Sequence, residues 1–425
     1  MFGISLLPLR TEAFTHNDRV RRLCDVVVDS AMWVSRVTRN GHEMTPESKN
    51  EIMTAIIGFN HLFIDSGSLT GPGYYAIQLL ETALRLPEIT RSPFTFKVFV
   101  QHGTTHHYST AAKAHLIEVP ALSGRVSRVL WEQFKLPLLA KREKVDLLFS
   151  PGFVSPAFGA PILATTIHDM YYRAVPDLVE RYQRHYWRAM IPLTSRVCDL
   201  ILTVSESSGR DIEHFLPAAR GKVVVTPLAS RFAPIEVLPP RPIGGTPYML
   251  MIANLTPNKN VTRVVEALAL LRHEGRNVDF VHIGVDLRDE LAQAIATFGM
   301  QNHVRMLGKV DDATLVDTAV NSLCVVVPSL YEGFGMPAIE AHALGAPLVC
   351  SNRSALPEVA GDAALLVDPE SPKSIAAAIA KLMDDPELPM TLQRKGLENV
   401  RNFSWDRTAS LTLAAFTRQL NRKRK

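Results

Sequence analysis

Two glutamates, Glu332 and Glu340, flank a short turn that carries Gly333 and Gly335, and a lysine, Lys259, stands earlier in the same half of the chain. Carboxylates accept hydrogen bonds from paired hydroxyls, and a lysine ammonium neutralises phosphate. Glycines let the backbone come close to a ligand with no Cβ in the way. In one continuous helix the two glutamates would stand roughly 80° apart around the axis. The turn lifts that restraint, so each can meet a different end of one ligand.

The elements that would hold these residues are legible nearby. Leu323 to Val327 is an apolar run that reads as a buried parallel strand, stopped by Pro328 and Ser329. Pro337 suits the first position of a helix, and Gly345 with Pro347 suits its end. Free N–H groups at the helix start, with the positive dipole end, favour an anion such as a diphosphate beside Gly335 and Met336. Lys259, in ANLTPNKNV, lies just before another helix, where it can stabilise a departing diphosphate. A ligand with hydroxyls on both sides of a phosphate fits this set, and a nucleotide sugar has that layout. A buried strand–turn–helix with two solvated glutamates is the plainer reading, and the pair alone does not separate the two.

Other signals are weaker singly. Gly67, Gly71 and Gly73 precede an apolar-periodic helix containing Ile77, Leu80 and Leu84, a second place for phosphate, although most glycine clusters are turns. His168-Asp169 ends the run 161–169, and Ser205-Glu206 closes the run 199–205. In open parallel sheets ligands gather at such strand ends, although a histidine there is more often structural.

Strand-like runs at 94–100, 145–150, 161–169 and 199–205 alternate with helical stretches, after a first strand that starts within 51–57 and a loop over 58–73. The segment 233–247 is rich in Pro and Gly and reads as a linker. The alternation then restarts at 248–254, 278–284, 304–308, 323–327 and 347–352. Two doubly wound α/β domains facing a cleft are expected. The divisions are an extension of unknown role at 1–50, domains at 51–235 and 236–405, and a closing helix with a basic tail at 406–425.

With 425 residues, 47% hydrophobic and 21% charged, the chain is long enough for two cores and is globular in composition. No apolar run approaches the ~18 residues of a spanning helix, and the N-terminus lacks a basic region before its apolar piece. Cys24, Cys198, Cys324 and Cys350 show no metal or redox spacing, which points to a reducing, cytoplasmic setting. Net charge is +4, and nucleic acid is not an expected partner. Within 125–144, Arg125, Arg128, Lys135, Lys141, Arg142 and Lys144 outnumber Glu132 and Glu143. Val126, Val129, Leu130 and Phe134 fall at helical spacing there. Such a segment can lie on an anionic bilayer or pack on the sheet, and Pro137 is expected to interrupt it. The tail Arg422 to Lys425 adds to the basic character.

The run Glu332-Gly333-Phe334-Gly335-Met336-Pro337, with Glu340-Ala341, Gly345-Ala346-Pro347 and Ser354 to Glu358, resembles the signature of retaining glycosyltransferases of family 4, which have the GT-B fold. TTIHDMYYRAVP and LTVSESSGRDI resemble consecutive N-domain motifs of that family, and FSWDRTASLTLAAFTRQL resembles its closing helix, which crosses back to the first domain. The resemblance runs from about residue 51 to 420. It implies a hexose transferred from a nucleotide donor with retention, Glu332 on the sugar hydroxyls, Glu340 on the ribose, and Lys259 with the Gly335 helix start on the diphosphate. It places His168 at the reacting centre, Asp169 toward the acceptor or as the group that orients His168, Ser205 toward the acceptor, and Gly71, Gly73, Asn254, Val310 and the run Gly333 to Pro337 around the donor. Asn254 and Asn258 stand where relatives carry an arginine, and Tyr74 stands where many carry another.

No Asp-x-Asp pattern accompanies these motifs, so neither a metal nor another cofactor is expected beyond the donor itself. WEQFKLP and IHDMYYRAVP look like bacterial mannosyltransferases of surface-polysaccharide assembly, which favours GDP-mannose, then a UDP-hexose, with a glycan or lipid-linked oligosaccharide as acceptor. An epimerase or phosphorylase of the same fold, and a non-catalytic nucleotide-sugar-binding protein, are the rivals.

Overall fold

The alternation of apolar runs and helices builds two parallel sheets in the computed structural model, which describes residues 55–67, 69–86, 94–179, 181–236 and 245–424. The chain divides into two units, 1–52 and 53–425, and all the described residues belong to the second. The expected extension at 1–50 and the core of the expected linker, 237–244, lie outside the described residues.

The first sheet holds β1 (Ala55–Asn60), β2 (Phe94–Gln101), β3 (Leu116–Val119), β4 (Leu147–Ser150), β5 (Ile162–Thr166), β6 (Leu200–Thr203) and β7 (Val223–Val225) in the order β3-β2-β1-β4-β5-β6-β7. The second holds β8 (Tyr248–Ile252), β9 (Asp279–Ile283), β10 (Val304–Gly308), β11 (Cys324–Val327), β12 (Leu348–Ser351) and β13 (Ala364–Val367) in the order β10-β9-β8-β11-β12-β13. All pairings within both are parallel. Strands β4, β5, β6, β11 and β12 are buried along their whole length, because helices cover both faces, and that is why they read as largely apolar runs without alternation, broken only by Ser and Thr. The edge strands β3, β7 and β13 are short and half-exposed, and none of them is among the expected strands. β1 runs on to Asn60, past the expected loop start, since Phe59 and Asn60 continue the ladder opposite Val98 and Phe99.

The helices that matter for the cleft are α1 (Gly71–Arg85), α2 (Gly124–Leu130), α3 (Leu136–Arg142), α4 (Glu206–Phe215), α5 (Met336–Ala343), α6 (Glu387–Val400) and α7 (Trp405–Arg424). α6 packs on α5, and the chain then crosses so that α7 packs on α1 beside β5 and β6. Phe416 of α7 meets Phe149 of β4 with ring centroids 5.2 Å apart. One apolar cluster therefore runs from the first sheet through α7 to β11 and α5, as the expected crossing helix requires.

Between α2 and α3 the backbone makes a π turn, Trp131–Lys135, and helix continues through Pro137. The expected interruption at Pro137 is absent because Pro137 falls in the first turn after the π segment, where its missing N–H is tolerated. Cys198, Cys324 and Cys350 are buried and form no disulfide with one another, and no helix among the described residues is long and apolar enough to cross a membrane.

Candidate active site

In each sheet the strand order turns at one place, between β1 and β4 and between β8 and β11, and open α/β sheets bind ligands in the crevice at such a point. The loops after β1, β4, β8 and β11 all contribute to one cleft of about 620 Å³. Its lining includes Gly71, Tyr74, Phe153, His168, Asp169, Lys259, Glu332 and Glu340. Residues distant in sequence thus meet because two switch points face each other.

The second half supplies the charged end. Lys259 Nζ lies 2.5 Å from Glu332 Oε1, which also accepts from Ser329 Oγ at 2.8 Å. Ser354 Oγ accepts from Glu332 N at 2.9 Å. The loop after β8 is stitched to the loop after β11: Leu330 N donates to Asn258 O, and Asn258 Nδ2 donates to Tyr331 O. Asn260, with φ of 61°, donates to Pro328 O and Pro369 O. Asn258 is thus a tie between the loops that carry Lys259 and Glu332.

Gly335 caps α5 with φ of 99°, a conformation that favours glycine, and Pro337 falls in the first turn. Gly333 is a glycine for a different reason. A Cβ there would stand 2.7 Å from His168 O and 2.9 Å from Asp169 Cβ, so this is where the two halves touch. The expectation that Gly333 clears space for a ligand is refined: it clears space for the opposite domain.

The first half supplies an apolar wall and two titratable groups. His168 Nε2 donates to Pro151 O at 2.8 Å, which leaves Nδ1 as the acceptor of a neutral ring. Burial against Tyr75 and Phe153 pushes its pKa down to about 4, so the ring accepts a hydrogen bond at neutral pH and does not act as an acid. Asp169 accepts from Tyr171 N, and burial pushes its carboxyl up to about 6.

Several polar contacts join the halves. Ser205 Oγ and Ser208 Oγ donate to Gly333 O at 2.6 and 3.0 Å. Tyr331 Oη donates to Asp211 Oδ2 and accepts from Met170 N. Glu358 accepts from the backbone N–H groups of Glu206 and Ser207, which closes the start of α4 with a protein carboxylate.

Of the expected site residues, His168, Asp169, Lys259, Gly71 and the run Glu332 to Pro337 with Glu340 line the cleft. Phe334 and Met336 lie among them. Gly73 is buried and bonded to Thr70, Asn254 accepts from Val285 N, Val310 packs against the core, and Ser205 is spent on Gly333, so these four stand outside the lining.

Residues 88–229 match the model described as Glycosyltransferase Family 4, and residues 239–398 match Glycosyl transferases group 1. The O-antigen chain mannosyltransferase B of Escherichia coli is 31% identical over 290 residues, spanning 65% of this chain and 76% of that protein. The chain belongs to glycosyltransferase family 4. The MMP alpha-(1->4)-mannosyltransferase of Mycolicibacterium hassiacum is 30% identical over 278 residues, 62% of this chain and 67% of its own. Sucrose-phosphate synthase from Thermosynechococcus elongatus superposes with a TM-score of 0.65 at 19% identity, covering 86% of this chain and 99% of that one. HepE from Anabaena, solved with UDP and glucose, gives 0.62 at 17% identity with 86% and 99% covered. The fold of this glycosyltransferase is GT-B.

Sequence reasoning passed over two charged residues of the cleft, Arg231 and Asp312, and the aromatic Trp405. Arg231 follows β7 in an irregular stretch with no period, and Asp312 looks like any acidic residue of a helix first turn. Neither carries a signal that a spacing argument could find.

Proposed function

We propose that this glycosyltransferase moves mannose from GDP-mannose, with retention, to a hydroxyl of a glycan or lipid-linked oligosaccharide. The observation that carries the reading is the joining of Lys259 to Glu332 beside the start of α5, with Glu340 one helical turn deeper in the same cleft. In this reading the diphosphate sits at Lys259 and the α5 N–H groups, the sugar hydroxyls at Glu332 and His168 Nδ1, and the ribose at Glu340. The acceptor oxygen approaches the anomeric carbon on the face the phosphate leaves. The carbon–phosphate-oxygen bond breaks, the new glycosidic bond forms, and the acceptor proton passes to a donor phosphate oxygen. Lys259 then offsets the charge on the leaving nucleoside diphosphate. No step draws on a metal, and activity is expected to survive EDTA.

Two observations favour the guanine and mannose part. Two relatives that are about 30% identical carry the name mannosyltransferase. The carboxylate of Asp312 also lines the cleft near Glu340. Guanine presents two adjacent N–H donors that a carboxylate accepts together, whereas uracil presents one between two carbonyls. Thermal shifts with GDP, GDP-mannose, UDP and UDP-hexoses, with hydrolysis followed alongside, test this. Stabilisation by the guanine compounds is expected. A shift with uridine compounds only overturns the donor, and none with any nucleotide overturns the enzyme reading.

The acceptor side motivates a membrane setting. Val126, Leu130, Phe134 and Leu138 are 65%, 53%, 60% and 61% exposed, and Phe158 is 50% exposed. A four-residue step advances about 40° in an α-helix, and the wider π turn subtracts from that drift, keeping the four on one side. Lys141 and Lys144 share a groove with Leu138 and Phe158, and Lys423 reaches Pro161 O at its rim. Beyond Lys423 lie Arg196, Arg220, Lys222 and Arg422. Apolar side chains ringed by cations suit peripheral docking on an anionic cytoplasmic leaflet.

A further inference from the structure

Glu340 and Asp312 come from different elements of the second half, yet one guanidinium of the first half bridges them. Arg231 Nε lies 3.0 Å from Glu340 Oε1, and Arg231 Nη1 lies 3.3 Å from Asp312 Oδ1. The guanidinium rests over the Phe232 ring, 4.5 Å from its centroid. The backbone on either side is anchored. Ser230 O accepts from the Trp405 indole at 3.2 Å, Pro227 O accepts from Thr408 Oγ1, and Ile235 N donates to Ala343 O at the end of α5. Arg231 therefore reaches the cleft from a strut tied both to the crossing helix and to the helix that carries Glu340. Glu340 itself is buried, with its side chain 8% exposed, and Arg231 is the cation it meets among the described residues.

We propose that Arg231 is a positioning residue for the donor: it holds Glu340 ionised and oriented through Oε1, leaves Oε2 for the ribose hydroxyls, and sets Asp312 beside them for the base. The proposal rests on the nucleotide-sugar reading above.

A buried carboxylate with no cation nearby takes up a proton and then accepts fewer hydrogen bonds from a diol. The groups facing Glu340 are Arg231 from the strut, Asp312 from the segment after β10, and the Tyr74 phenol from α1. Burial raises the Glu340 pKa to about 7 while Arg231 opposes the rise and Asp312 adds to it. Binding that needs the carboxylate therefore tightens as pH rises through that value, and removing Arg231 moves the whole transition upward.

GDP binding measured by calorimetry from pH 6 to 9 tests this, with melting curves recorded for every variant. The native chain is expected to bind GDP more tightly as pH rises through about 7. In R231Q the rise moves up by about one unit or more, which weakens binding at pH 7 about fivefold and restores most of it by pH 9. R231A gives the same shift, and added guanidinium brings its midpoint back. E340Q abolishes the pH dependence, and R231Q adds little to E340Q. With donor turnover, the KM for nucleotide sugar rises in R231Q while kcat at saturation stays within about twofold. Native affinity and an unmoved midpoint in R231Q and R231A overturn the positioning role and leave the enzyme reading intact. A native chain that binds no nucleoside diphosphate at any pH overturns both.

Discussion

Glu358 of the second half accepts hydrogen bonds at 2.8 and 3.0 Å from the backbone N–H groups of Glu206 and Ser207 in the first. One carboxylate closes the start of α4 and ties the two sides of the cleft together across the opening. The N–H groups of that helix start are thus satisfied by protein. Glu358→Ala removes two charge-assisted bonds at a solvent-exposed site, so a loss of about 1 kcal/mol is expected. Calorimetric melting should show a fall of a few degrees, and donor KM should rise because the halves separate more easily. An unchanged melting curve and KM would show that Glu358 ties nothing.

Gly333→Ala tests the same junction from the other side. The added Cβ would lie 2.7 Å from a backbone oxygen, His168 O, which has no flexible end to give way. The φ of Gly333 is not among the positive values, so the cost is contact alone. Overpacking of this kind costs about 1–3 kcal/mol and should push the halves apart, lowering kcat/KM by at least tenfold. Gly335→Ala places a Cβ 2.6 Å from a methyl of the buried Leu356 and at φ of 99°, so it loses stability through contact and backbone strain together. Activity in Gly333→Ala equal to the native enzyme would contradict the closed junction.

Glu132 gives a pH-dependent test away from the cleft. It is buried in the π turn, 3.8 Å from Arg128, and burial pushes its carboxyl up to about 7. The folded pKa is raised above the unfolded one. Its share of stability is therefore complete below about pH 4.5 and is lost as pH rises through about 7. Glu132→Gln should melt close to the native chain at pH 4.5 and well above it at pH 8, by an amount on the order of 2–3 kcal/mol. A difference that does not grow between those pH values would sink the assignment.

The exposed ridge of α2 and α3 predicts vesicle binding. Sedimentation with vesicles rich in phosphatidylglycerol should fall at least tenfold for Leu130→Asp with Phe134→Asp, since both side chains are over half exposed and their loss costs little folding energy. Binding should also weaken with salt. Equal partition of native and variant chains would assign the ridge to something other than a bilayer.

Much of the fold was legible in the residue pattern. Strands buried on both faces are mostly apolar, so LLFS, LILT and CVVV stand out, and glycine at 335 marks a backbone angle that few residues adopt. The order of turn, helix and carboxylates between Glu332 and Glu340 was equally local. Strands such as β3 and β7 were not among those expected, because three or four half-exposed residues carry too short a pattern to stand out. Nor were the partners across the cleft. Lys259 with Glu332, Gly333 with His168, and Arg231 with Glu340 and Asp312 meet only after two sheets close on each other and α7 ties them. Residue type and spacing decide what each strand–turn–helix unit can do, since those forces act over a few residues. Which charges meet, and which carboxylate is buried beside which cation, depends on long-range contacts that only the folded chain brings together.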